Sequence, residues 1–393
     1  KMVQKNKKWR LFTKGASDYI ILVVTMLLLA LGIIMVLSAS SPASLSETGK
    51  SYKYVTKQAM AAGIGLVGMI CVSKIDYQVY KKLKWIIYIF LIALLVYTGL
   101  FGIEGGGAKR WIKLPIIGNF QPSELAKIGF ILFYAAILSE IKERGKIKSF
   151  VHGCIIPIIF LIPIAISIFI LQNHFSATFI IAMVTIVQMF VAGTRIGHIM
   201  IVGVFGVSLY GGASAIKNLL KSTNTVATAT EQSFRKSRIA VWLNPSSDPK
   251  GKGWQILQSL YTIASGGLFG VGLGESKQKY LYLPEPQNDF IFAVLAEELG
   301  FFGCAFVIVL FGIFIWRGIV IAMKAPDTFS SLIAIGIVTM IGLQAIINIA
   351  VVTNTIPVTG MPLPFFSYGG TAIIIDLVAV GVLLNISRHC NQK

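Results

Sequence analysis

Runs of about 20 residues without a charged side chain recur from Tyr19 almost to the C-terminus, and no other feature of the sequence restricts the fold as much. A hydrocarbon core about 30 Å thick is crossed by about 20 helical residues. Backbone amides find no water there, so each run must close its hydrogen bonds within itself, as a helix. Of the 393 residues, 55% are hydrophobic and 13% charged, too little polar side chain to cover a soluble surface. An all-α integral membrane protein is expected.

Runs near 19–38, 58–73, 85–103, 125–141 and 196–216 predict five spans. The run Tyr19–Ser38 ends without a small-residue cleavage site and is followed by further spans, so it reads as a permanent helix rather than a signal peptide. The stretch 149–194 is too long for one crossing, and its polar interruption Gln172–Asn173–His174 predicts a turn between two helices. A span over 290–316, and two in 328–375 on either side of TNTIPVTGMPLPFFSYGG, bring the total to about ten. The whole chain is expected to be one polytopic domain.

Basic residues crowd the N-terminal tail (Lys1, Lys5, Lys7, Lys8, Arg10, Lys14) and the loops at 74–84 and 142–148, which places that side in the cytoplasm by the positive-inside rule. An even number of spans returns the C-terminus to the same side. Residues 1–17 are then a cytoplasmic tail, and 217–286 a large extracellular loop. The net charge of +19 does not point to nucleic acid, which needs a basic soluble face. Basic residues between spans suit membrane lipids or a phosphate-bearing lipid. Cys71, Cys154, Cys304 and Cys390 imply no disulfide framework. The two halves show no self-similarity of the kind that secondary transporters carry.

Among the 16 carboxylates, Asp289 stands between the Pro-rich turn LPEPQ and an apolar helix, at the membrane boundary. It fits either a helix N-cap or a general base in a half-buried site. Glu297 and Glu298 lie about two turns deeper, where a carboxylate needs a partner, and a supporting network suits them. Between the third and fourth spans, Arg110 with Lys109 and Trp111 fits an interfacial anchor or a substrate contact. Glu124 and Lys127 form an i, i+3 pair entering the bilayer. Arg235, Lys236 and Arg238 precede a Gly-rich stretch, 264–285, that lacks Walker spacing and reads as a flexible re-entrant loop. Residues 357–370, including Pro364 and Ser367, form a turn-rich lid whose irregular backbone must line a cavity or be buried.

The segments AKRWI, FQPSELAK, RIAVWLNP, SGGLFGVGLGESKQKYLYLPEPQNDFIFAVLAEELGF and PVTGMPLPFFSYGG together resemble the SEDS family (shape, elongation, division and sporulation), in the family's order and across nearly the whole chain. VLSASS and the lid sequence look most like its FtsW and SpoVE branch. The resemblance implies ten transmembrane helices and polymerisation of lipid II outside the cytoplasmic membrane, in complex with a class B penicillin-binding protein. It carries the family's essential acid onto Asp289. Two departures stand out. Gln287–Asn288 replaces the usual His-Thr, and NHFSAT, 173–178, replaces a PDLGT turn and removes its acid.

Polymerisation needs a base for the attacking sugar hydroxyl, for which Asp289 is the candidate. It also needs positive charge against the leaving pyrophosphate, for which Arg110, Lys127, Arg235 and Arg238 are candidates, with Glu124 and Ser367 beside the substrate. Glu297, Glu298 and Pro364 are expected as structural support, and a divalent cation, Mg or Mn, is a candidate aid. A flippase for the same lipid-linked precursor and a non-enzymatic scaffold are the rival readings.

Overall fold

The computed structural model describes residues 16–105, 108–114, 118–201, 240–248, 251–280 and 283–390. Its long helices are α1 (Tyr19–Thr48), α2 (Lys53–Lys74), α4 (Lys84–Phe101), α5 (Pro122–Glu143) and α7 (Phe175–Ala192), preceded by α6 (Ile156–Ile166) with a π-helical segment at each end. A short α3 (Gln78–Lys82) joins α2 to α4. After the gap come α8 (Lys252–Gly266), α9 (Ile291–Lys324), α10 (Thr328–Val352) and α11 (Gly370–Cys390). Among the described residues, eight helical stretches are long and apolar enough to cross a membrane. The 22-residue α5 is a ninth long helix, buried along nearly its whole length among α4, α7, α10 and α11. Of the expected span 196–216, residues 196–201 are helical and the rest lie outside the described residues.

Three helices run past their expected ends, the first of them α1, which continues ten residues beyond Ser38 to Thr48. The span expected over 290–316 continues in α9 to Lys324, because Arg317 Nε lies 2.7 Å from Asp18 Oδ2 and its charge is paired. Asp376 interrupts the apolar run at Ile375, yet α11 carries it inside and ends at Cys390. The same Asp18 caps α1 by accepting from the backbone of Ile20 and Ile21, and its own N–H donates to Ser387. One residue thereby ties the start of α1 to the last turns of α9 and the end of α11 at the face where α1 begins, here the tail face. On that face Asp327 caps α10 in a capping box with Ser330 and accepts from Tyr77 and Gln78.

The opposite, loop face departs from an all-helical expectation. Strands β1 (Ile103–Gly105), β2 (Ala108–Leu114) and β3 (Gly118–Phe120) form a three-stranded antiparallel sheet in that order. This stretch has no three-to-four-residue apolar spacing and is bounded by glycines, so it had no helical pattern to lose. The described part of the Gly-rich stretch is hydrogen-bonded in place: Val271 and Gly272 donate to the carbonyls of Glu297 and Glu298, and Phe301 and Phe302 donate to those of Gly267 and Leu268. Gly300 makes this exchange possible. With φ 67° and ψ −164° it breaks α9 into a buried lead, 291–299, and a membrane-length segment, 301–324. A Cβ there would fall 2.3 Å from the Gly270 nitrogen.

Candidate functional site

Asp289 lies in the turn before α9 rather than on its cap. The N-cap position is Phe290 and no side chain caps the helix, so the capping reading of Asp289 is not realised. Glu285, at φ 48°, opens the turn, and Asn288 closes it by donating from its backbone and its Nδ2 to Glu285, at 3.0 and 2.9 Å. The lid grips this turn from the other side. Tyr368 donates its N–H to the Gln287 carbonyl at 2.8 Å, Ser367 Oγ donates to that of Asn288 at 2.8 Å, and Asn348 Nδ2 donates to that of Asp289 at 2.8 Å. None of these bonds reaches the Asp289 carboxylate, which is left without a hydrogen-bond donor among the described residues. Half-buried, it is pushed up to about 6, first by burial and then by the Glu285 carboxylate. Gly360, at φ 70°, faces it: a Cβ at 360 would lie in ordinary contact, 3.4 Å from Asp289 Oδ2.

Ser367, expected beside the substrate, is instead buried and fully engaged, accepting from the Leu363 N–H at 2.7 Å while donating to Asn288. Pro364 is buried in the same lid, next to Phe365 at φ 66°. Glu298 accepts from Ser38 at 2.5 Å and pairs with Lys279 at 3.0 Å, and Glu297 accepts from the Ser276 hydroxyl and the Lys277 N–H. These two carboxylates fasten the Gly-rich segment and α1 to the helix that follows Asp289.

The second group surrounds the start of α5. Pro122 occupies the first turn, where its missing N–H costs nothing. Lys127 Nζ lies 2.7 Å from Glu124 Oε2, with both residues buried, at 3% and 4% exposure. Asp376 on α11, a residue the sequence reading passed over, is buried within electrostatic reach of both. No local sequence signal marks it, because its depth depends on a distant contact: Gln121 N–H donates to Thr371 Oγ1, so the two helices start level and Lys127 and Asp376 lie about one and a half turns in. Arg110 donates from Nε and Nη2 to the carbonyls of Gln172 and Asn173, at 2.8 and 2.5 Å, and so orders the turn before α7. His174 in that turn meets Ser123 and Gln121 of the α5 start.

The two groups share one wall. Ser176, in the first turn of α7, donates to the Thr359 carbonyl at 2.7 Å, next to Gly360 and hence beside Asp289. The structure thus brings Asp289, the lid, His174 and the α5 start onto one face, while Arg235 and Arg238 lie outside the described residues. Among the described residues no three His, Cys, Asp or Glu side chains gather as a metal-binding group, so a resident divalent cation has no ready ligand set there.

Fold and site define a polytopic helical membrane protein whose one face gathers an acid, a rigid lid and buried cations. The chain belongs to the FtsW/RodA/SpoVE family: residues 18–392 match the family described as cell cycle protein. It is 41% identical to stage V sporulation protein E of Bacillus subtilis (strain 168), over 96% of this chain and 98% of that one. It is 38% identical to the probable peptidoglycan glycosyltransferase FtsW of Geobacter sp. (strain M18), over 95% and 97%. Among solved structures, a chain of a peptidoglycan synthase complex that coordinates polymerization and crosslinking superposes with a TM-score of 0.76 at 27% identity, covering 96% of this chain and 99% of that one. The rod shape determining protein RodA of Thermus thermophilus shares the fold, with a TM-score of 0.67 at 24% identity and the same coverage.

Proposed function

We propose that this protein is a peptidoglycan glycosyltransferase that polymerises lipid II at the outer face of the bacterial cytoplasmic membrane, with the loop face outside and both termini inside. The observation that carries the reading is Asp289: a half-buried carboxylate with no donor bound to it among the described residues, fixed only through its backbone, with its proton affinity raised toward neutrality. Such a group is held ready to accept a proton.

In the proposed reaction the 4-hydroxyl of one disaccharide gives its proton to Asp289 as its oxygen bonds to the anomeric carbon of the second. The bond from that carbon to the pyrophosphate oxygen breaks, and undecaprenyl pyrophosphate leaves with the electron pair. Cations then offset the negative charge, and Arg110, Lys127, Arg235 and Arg238 remain the candidates. Arg110 acts through the turn it holds together as much as through its charge. A divalent cation, if bound by the pyrophosphate itself, would supply further charge offset. Division, elongation or sporulation is the cellular use, and a class B penicillin-binding protein the proposed partner. The test is polymerisation of lipid II by the purified chain with that partner, its transpeptidase blocked. Absence of glycan from a folded, assembled complex overturns the reading.

One observation favours the flippase reading: Glu124, Lys127 and Asp376 put three ionisable groups in the helical interior, where a carrier would need them. Passage of labelled lipid II across vesicles containing the protein alone would support it.

A further inference from the structure

In the reaction as written the turn 172–174 serves only as what Arg110 holds in place, yet it also presents a side chain of fixed chemistry. His174 does not cap α7. Its Nδ1 lies 3.1 Å from Ser123 Oγ and 3.4 Å from Gln121 Nε2. An amide nitrogen only donates, so Nδ1 accepts and the ring proton resides on Nε2. Among the described residues nothing accepts from Nε2. Burial, then Arg110, then Lys127 push this imidazole down to about 3, so at neutral pH it remains an uncharged ring with one outward donor.

The surroundings favour an anion. The starts of α5 and α7 meet at this ring, since Ser123 belongs to the first turn of one and His174 directly precedes the other. The positive ends of both helix dipoles therefore lie beside it. Arg110 sits against the same turn, and the Glu124 charge is matched by Lys127. The acid that a PDLGT turn would place here is absent, with Asn173 and His174 in the turn instead.

We infer that His174 binds the substrate directly, its Nε2–H donating to a phosphate oxygen of the lipid-linked pyrophosphate as the loop face receives it. The inference rests on the proposed glycosyltransferase reading for the identity of the ligand. A neutral donor adds direction beside the charge that Arg110 supplies, without a further buried charge to desolvate.

Two substitutions separate this role from packing. In H174Q the side-chain amide nitrogen reaches the place of Nε2 and the Nδ1 contacts are lost. H174N keeps a polar atom near Nδ1 and loses the outward donor. Binding of undecaprenyl pyrophosphate and of inorganic pyrophosphate to the full chain in detergent is measured for both variants, beside their melting temperatures. The expected result is affinity for undecaprenyl pyrophosphate weakened about tenfold or more in H174N and by less than about threefold in H174Q, the loss of one hydrogen bond to a charged group. A variant effect in the lipid arm alone assigns the lipid headgroup as the ligand, and one in both arms extends the site to the free ion. Wild-type affinity in H174N, or equal weakening in both variants, overturns the inference. The expected order of affinities among the variants, together with wild-type protein that makes no glycan with its partner, would sink the glycosyltransferase reading and leave the role of His174 standing.

Discussion

Asn348 holds Asp289 from behind: its Nδ2 lies 2.8 Å from the Asp289 carbonyl oxygen and 2.7 Å from that of Met361. One buried amide on α10 thereby couples the turn that presents the acid to the lid that covers it. Asn348→Leu removes both donors and leaves two buried carbonyls unpaired, each at about 1–3 kcal/mol. The expected outcome is a clear drop in melting temperature together with reduced glycan synthesis, since the lid and the acid lose their common anchor. A variant with wild-type stability and rate would mean that the lid and the turn are held elsewhere.

Asp289→Asn keeps the shape of the side chain and deletes the basic oxygen. Because Asp289 does not cap α9, the substitution removes no helix-capping bond, and any loss of rate is chemical rather than structural. Polymerisation is expected to fall about a hundredfold or more while assembly with the partner persists. Near-normal glycan chains from the folded variant would remove Asp289 from the mechanism.

The raised proton affinity of Asp289 gives two pH signatures of opposite sense. As the base, it works only when ionised, so the rate should decline as pH falls through about 6. For stability, an acid whose folded value is raised from 3.8 to about 6 favours the fold when protonated, so that contribution is full below the unfolded value and lost as pH rises through about 6. Asp289→Asn should therefore melt higher than wild type above pH 6, with the difference vanishing below about pH 4. Parallel melting curves at all pH values would show that the carboxylate is not buried as described.

The helices were legible because apolar run length is a strong signal in a chain that has only lipid to face, and the turn at 172–174 was marked by its polar break. What failed was the treatment of single charges as span ends. Arg317 and Asp376 both lie within helices, because the first pairs with Asp18 and the second is enclosed near Lys127. Partners hundreds of residues away in sequence leave no local trace. Asp289 could be found from its position between a Pro-rich turn and an apolar helix. Its support could not: Ser367 and Asn348 act on backbone carbonyls, which any sequence supplies, and His174 acquires meaning only when Ser123 lies beside it.

The buried charges around Lys127 should respond asymmetrically to neutralisation. Lys127 is the ammonium within electrostatic reach of two acids, Glu124 at 2.7 Å and Asp376 on α11. Glu124→Gln leaves Lys127 with Asp376 as its counter-charge, and the glutamine can still hydrogen-bond. Lys127→Met strands two carboxylates away from water with no cation, the case in which breaking a buried pair costs about 3–5 kcal/mol. Thermal denaturation in detergent should show the loss from Lys127→Met to be at least about twice that from Glu124→Gln. Adding Asp376→Asn to Lys127→Met should recover part of it, because one of the stranded charges is gone. Equal losses for the two single variants, or no recovery in the double, would mean that Asp376 does not share the lysine. The three residues would then have to be treated as one ion pair and a separate, neutral acid.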